Sequence, residues 1–283
     1  AGQQLENLLA VVIDEIHFLD DPDRGTVWEE VLIYLPPEVQ IIGLSATVSN
    51  LEEFAQWLSS VCDRHVETVR DFERVVPLSV HYASKRTGIC TPDQYKHKLK
   101  RLHRESTSTR DRRSGGNRNN RRGQHQRRRG RRPVRETRDT HLFEMLRKED
   151  LLPYLYFVFS RRDTELFARG LTDHLPESLL DSEEQARLEA RLHEAAPQIG
   201  SALDRELRAM YAKGIAFHHA GLHVHIKALV ESLYEAKLIK VLYCTSTFAL
   251  GINMPARAVV FDGIRKFDGT RIAPISTREF MQM

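Results

Sequence analysis

Residues 8–17 read L-L-A-V-V-I-D-E-I-H. Six apolar residues run unbroken to Ile13, and then Asp14, Glu15 and His17 follow. An uninterrupted run of this length, rich in Val, predicts a strand buried on both faces, as in a parallel sheet. Open parallel sheets bind their ligands outside the carboxyl ends of the strands, which is where Asp14 and Glu15 fall. An acidic pair there can hold a metal–phosphate complex and orient a water molecule. The same pair can also be a solvated loop entry, so its meaning depends on the rest of the chain.

At 283 residues and 41% hydrophobic content, the chain has room for two α/β domains or one large one. No run of eighteen apolar residues occurs, so no transmembrane helix is expected. The opening A-G-Q-Q-L-E-N has neither a secretion signal nor an initiating Met, so the chain is expected to start inside a longer one. Cys62, Cys90 and Cys244 lie far apart without metal-ligand spacing and read as free thiols of a reducing, cytoplasmic compartment. The net charge of +3 hides an asymmetry. From Lys98 to Arg138 there are 17 Lys and Arg against 3 acidic residues, which leaves the remainder with 25 basic and 36 acidic residues, a net of −11.

Outward from the first strand, D-D-P-D-R-G is a loop by composition. Residues 25–34 predict a helix with Trp28, Val31, Leu32 and Leu35 on its apolar side, stopped by Pro36-Pro37. Residues 39–44 predict a second strand ending in Ser45-Ala46-Thr47. Asn50 then heads a helix, with Glu53 placed for a capping box and Phe54, Trp57 and Leu58 inside. Strand, helix, strand, helix indicates βαβ units and a parallel sheet. Residues 75–82, with Pro77, read as an edge strand or connector. Residues 105–138 are almost free of apolar side chains and are expected to be disordered, because they cannot bury enough surface to offset ordering. Arg121, Arg122, Arg127, Arg128 and Arg129, with their neighbouring glycines, suit phosphates of single-stranded nucleic acid.

Order is expected to resume at His141. Strands are predicted at residues 155–159, 214–217, 239–243 and 258–261. Helices are predicted at 161–174, capped by Ser160, with Leu166, Phe167 and Leu171 inside, and at 225–236. A long helical region over 181–211 is expected to break at Pro197. His218 and His219 stand together at a strand end, but no Cys or Glu cluster makes them a metal site.

These residues carry a resemblance. D-E-I-H followed by S-A-T resembles motifs II and III of superfamily 2 DExH-box helicases. F-V-F-S-R-R, A-F-H-H-A-G-L and T-S-T-F-A-L-G-I-N-M-P-A-R are similar to the later motifs of the superkiller-type, exosome-associated RNA helicases, as are V-W-E-E-V-L-I-Y-L-P and L-S-A-T-V-S-N. The resemblance implies an α/β protein with two RecA-like parallel-sheet domains, both truncated. Residues 1–70 would be the end of the first, 71–104 a connector, 105–138 the Arg-rich insert, and 139–283 the second.

It also implies ATP and Mg2+, with RNA favoured over DNA, RNA-degradation machinery as a partner, and no membrane. Asp14 would hold Mg2+ through water, and Glu15 would orient and deprotonate the attacking water. His17 would link the nucleotide site to the neighbouring domain, and Ser45, Ala46 and Thr47 would couple nucleotide state to strand separation. Gly251 and Asn253 would face the nucleotide. Ser160, Arg161, His219, Gly221 and Thr245 would touch nucleic acid. His223-Val224-His225 departs from the turn the family has after H-H-A-G-L.

No G-x-x-x-x-G-K-[ST] loop occurs, and Gln282 looks like the first residue of the final Arg-rich motif, whose arginines do not follow. The chain is therefore expected to be the middle of an ATP-dependent RNA helicase. A DNA-repair helicase of the same superfamily, a non-enzymatic nucleic-acid-binding module and a gene remnant stay open beside that reading. Such an arginine is worth about 10³ to 10⁵ in rate in related enzymes, so the purified chain should hydrolyse ATP negligibly. RNA-stimulated phosphate release by the chain alone would overturn this.

Overall fold

The computed structural model describes residues 8–20, 25–45, 50–71, 76–111, 138–249, 255–267 and 270–283. The chain forms two compact units, residues 1–78 and 79–283. Among the described residues, no helix is long and apolar enough to cross a membrane.

In the first unit, β1 (Ala10–Ile13) pairs in parallel with β2 (Gln40–Gly43), with Val11 opposite Ile41 and Val12 opposite Ile42. The crossover is α1 (Gly25–Tyr34), and α2 (Leu51–Cys62) follows β2. Strand residues alternate between faces. Ile13 joins Ile16, Leu19, Leu32 and Leu58 in the core, with Val11, Ile41, Trp28 and Phe54 packed on it. The expectation of a strand buried on both faces is not met. Leu9 is 84% exposed and Val12 59%, and Ile42 and Leu44 are also exposed. Packing falls on the face of Val11, Ile13 and Ile41, with Leu9 beyond its end, and among the described residues the face of Val12, Ile42 and Leu44 is only partly covered. Val31 and Trp57, expected inside, are exposed as well, while Leu32 and Leu58 are buried.

Gly25 starts α1 against the preceding turn, where a Cβ would lie 2.3 Å from the Leu19 carbonyl oxygen. The capping box expected at Asn50 does not form. The Asn50 side chain donates instead to Glu53 Oε2 at 3.3 Å.

The second unit opens with a hairpin of β3 (Tyr82–Ser84) and β4 (Gly88–Cys90); of the stretch read as an edge strand or a connector, the described residues 76–81 are in no strand and Tyr82 starts β3. Next come α3 (Pro92–Asp111) and α4 (Arg138–Lys148). Both reach into the segment expected to be disordered: α3 is helical through residue 111, and α4 begins before His141. Residues 112–137, which include the five arginines named above, lie outside the described residues.

The main sheet has four parallel strands in the order β6 (Ile215–His218), β7 (Val241–Cys244), β5 (Tyr154–Phe157), β8 (Ala258–Phe261). Every residue of β5, β6 and β7 is buried, as expected of strands covered on both faces. Helices α5 (Arg161–His174), α6 (Ser182–Ile199), α7 (Arg205–Ala212) and α8 (Val224–Glu235) contribute Leu171, Leu192, Met210 and Val230 to one core with Phe157 and Leu242. Leu166 of α5 points out instead. Pro197 does not break the helical region; α6 passes through it and ends at Gly200, whose φ of +56° favours glycine. The chain closes with the hairpin β9 (Arg265–Phe267) and β10 (Ile272–Pro274), then α9 (Thr277–Gln282).

Helix α4 is docked through a buried carboxyl. Asp139 is 1% exposed, and Tyr243 Oη of β7 donates to its Oδ2 at 2.6 Å. Burial pushes its pKa from an ordinary 3.8 up to about 7; the Tyr243 hydrogen bond opposes the shift and the charge of Asp262 adds to it. A raised folded pKa means that the folded state holds the extra proton. The associated stability is present below about pH 4 and is lost as pH rises through about 7, a change on the order of a few kcal/mol. In Asp139→Asn that fall should be missing, and melting curves of both proteins across this window would show it.

Candidate nucleotide and nucleic-acid sites

The end of β1 carries the acidic pair. Asp14 is exposed, and its Oδ1 accepts the Glu15 backbone N–H at 2.8 Å. Glu15 adopts φ +51°, a left-handed conformation that is unfavourable for a side chain with a Cβ. The turn it makes lets the Ile16 N–H donate to the Leu44 carbonyl at 2.9 Å, while the Leu44 N–H donates to the Ile13 carbonyl at 2.9 Å. His17 is thereby drawn under the turn and is 2% exposed. Its Nδ1 is hydrogen-bonded to Ser45 Oγ at 2.9 Å and lies 3.2 Å from Glu15 Oε2.

The structure thus brings Asp14, Glu15, His17 and Ser45 together, joining the first expected motif to the start of the second. Ala46 and Thr47 lie outside the described residues. Asp14 fits a hydrated Mg2+, because a solvent-facing carboxylate is the hard oxygen donor such an ion takes.

In the second unit, Ser160, Arg161, His219, Gly221 and Thr245 all follow the carboxyl ends of parallel strands. Ser160 Oγ caps α5, accepting the Asp163 N–H at 3.4 Å. A Cβ on Gly221 would meet His219 Nδ1 at 3.2 Å and Arg161 Nη1 at 3.5 Å, so these three residues converge. His219 Nδ1 accepts the Gly221 N–H at 3.1 Å. Its proton therefore sits on Nε2, which faces Glu165 Oε1 at 3.2 Å, and Glu165 is in turn paired with Arg169. His218 Nε2 lies 2.9 Å from Glu231 Oε1. Burial lowers the His218 pKa, and Glu231 only partly counters it. The Thr245 N–H donates to the His218 carbonyl at 3.2 Å, and Thr245 Oγ1 meets Thr247 Oγ1 at 2.9 Å.

Glu165 and Glu231 were not singled out from sequence. Nothing in spacing marks them, since Glu165 stands 54 residues from its histidine. Gly251 and Asn253 lie outside the described residues. Gln282 ends α9, which Ser276 caps. Among the described residues no group of three His, Cys, Asp or Glu side chains could hold a metal ion. Ser45→Ala should cost the first unit about 1 kcal/mol through loss of the His17 bond, read as a shift in its denaturant midpoint; an unchanged midpoint would show that the bond contributes nothing.

The family model for DEAD/DEAH box helicases matches residues 1–54. Superkiller complex protein 2 of Mus musculus is 35% identical over 306 residues, covering 99% of this chain and 23% of the relative. The DExH-box ATP-dependent RNA helicase DExH10 of Arabidopsis thaliana is 33% identical, covering 100% of the chain and 29% of its own length. The probable helicase HelY of Mycobacterium tuberculosis is 36% identical, covering 99% and 32%. The chain therefore spans about a quarter to a third of these relatives. On its motifs, its parallel-sheet α/β units and this similarity along its whole length, the chain belongs to the DEAD/DEAH-box helicases, in the superkiller-type DExH branch.

Proposed function

We propose that this chain is the core of an ATP-dependent helicase that unwinds RNA in RNA processing or decay. One observation carries the reading: Asp14 and Glu15 stand at a strand's carboxyl end, and the same turn binds Ser45 through His17. On this reading Asp14 holds Mg2+ through a water ligand, and the ion neutralises charge on the phosphates. Glu15 accepts a proton from the water that attacks the terminal phosphate. Its left-handed backbone fixes the carboxylate before any nucleotide arrives. His17 and Ser45 pass a change at the acidic pair to the segment that follows β2. Gly251, Asn253 and Gln282 keep the nucleotide roles the family gives them.

In the second unit, Arg161, the Gly221 backbone and Thr245 are the groups offered to a nucleic-acid backbone. His219 is buried with both ring nitrogens engaged, so it positions the Gly221 turn and does not itself bind phosphate. RNA is favoured because a similar protein is named as an ATP-dependent RNA helicase; partners in RNA degradation are what the resemblance to the superkiller-type branch implies. On the same reading the domains are residues 1–70, a connector over 71–104, the Arg-rich insert over 105–138, and 139–283, whereas the compact units divide at residue 78.

In the full-length protein, Glu15→Gln should slow RNA-stimulated ATP hydrolysis about 10²- to 10⁴-fold with nucleotide binding retained. Undiminished turnover would remove Glu15 from the chemistry. Stimulation by DNA equal to that by RNA would overturn the RNA assignment.

A further inference from the structure

The hairpin β3–β4 and the first turns of α3 have no part in the two sites above. Their surface has two features together. The rings of Tyr82 and Tyr95 stack with centroids 4.7 Å apart and planes 23° from parallel, yet Tyr82 remains 49% exposed. Around them, residues 79–101 hold six Lys and Arg against one acidic residue, Asp93. On α3, Lys96 and Lys100 are one turn apart on the flank beside Tyr95 and Leu99, and Leu99 is also exposed. The one acidic residue meets Lys96 at 3.4 Å in an ion pair open to solvent, which is a weak contact.

The element is held in place from beneath. Cys90 is buried, and Ile89 packs on the core of the second unit. Lys98 Nζ donates to the Thr87 carbonyl at 2.7 Å and ties the helix to the hairpin. Ser84 and Thr87 share a hydrogen bond at 2.7 Å across the turn. The tyrosine pair is thus a fixed platform and not a loose surface side chain.

We infer that the Tyr82–Tyr95 platform, with Lys96 and Lys100 beside it, is a stacking site for a base of single-stranded nucleic acid, separate from the motif residues. The inference rests on the nucleic-acid reading above and adds a location to it. Charge complementarity selects a polyanion. The exposed aromatic stack selects one with unpaired planar bases, because a duplex keeps its base faces covered. A tyrosine pair that only packed the helix on the hairpin would need no such surround of positive charge.

The test uses the whole chain and a short single-stranded oligoribonucleotide carrying a fluorescent adenine analogue. It is run at raised salt, where phosphate attraction to the Arg-rich segment is weakened. Tyr82→Leu, which keeps apolar packing, should weaken binding about tenfold and lose the quench that stacking causes. Tyr82→Phe should retain both, and a duplex of the same sequence should bind more weakly than the single strand. Equal affinity and quench in Tyr82→Leu, or equal binding of the duplex, would overturn the platform while leaving the helicase reading intact. Failure of the unaltered chain to bind any oligonucleotide would overturn both.

Discussion

The hydrogen bond from the Ile16 N–H to the Leu44 carbonyl sets the geometry of the first unit's site. The ladder between β1 and β2 ends at Ile13 and Gly43, and this bond carries the pairing past that end. To make it, the chain has to turn at Glu15 in a left-handed conformation that costs about 1 kcal/mol or more. The Asp14 side chain bonding the Glu15 N–H offsets part of that cost, as does His17 buried against Ser45. Strain at a turn is tolerable when its surroundings over-determine it, and here the ladder, the histidine and the carboxylate all specify the same turn. Two carboxylates and a hydroxyl from distant parts of the sequence become one rigid group.

The second unit solves a similar problem with different chemistry. Its strands are covered on both faces, so polar residues at their carboxyl ends fall partly inside the protein. Each buried histidine there has a carboxylate partner, Glu231 for His218 and Glu165 for His219, since an unpaired polar group inside would be costly. The partners come from the helices that cover the sheet, so packing and site geometry are specified together. An exchange of Glu165 would therefore be felt at the Gly221 turn through His219, without any direct contact with a ligand.

Much of this was legible in the residues. The helices at residues 25–34 and 161–174 and the strand at 258–261 form where periodicity and capping place them, because those signals are local. The parallel sheets follow from the strand–helix alternation. The failures share a cause. The run from Leu8 to Ile13 shows that the strand is apolar, but not which face another element will cover. Asn50 has the right spacing for a capping box, but its backbone takes a conformation that turns the side chain elsewhere. Pro197 forfeits one hydrogen bond of a long helix that packing holds together, and the chain yields three residues later at a glycine. Glu165 finds His219 only through the tertiary fold.

The one-sided ribbon of the first unit bears on how the molecule moves. A two-stranded sheet with one face on a small core has little to oppose local opening, whereas β5, β6 and β7 are enclosed on every side. Backbone amides of β1 and β2 should then exchange with solvent far sooner than those of the second unit's sheet. The turn that holds Asp14 and Glu15 is continuous with that ribbon, so the acidic pair keeps its shape only as long as the ribbon stays closed. Whatever covers Val12, Ile42 and Leu44 would set how often the pair loses that shape.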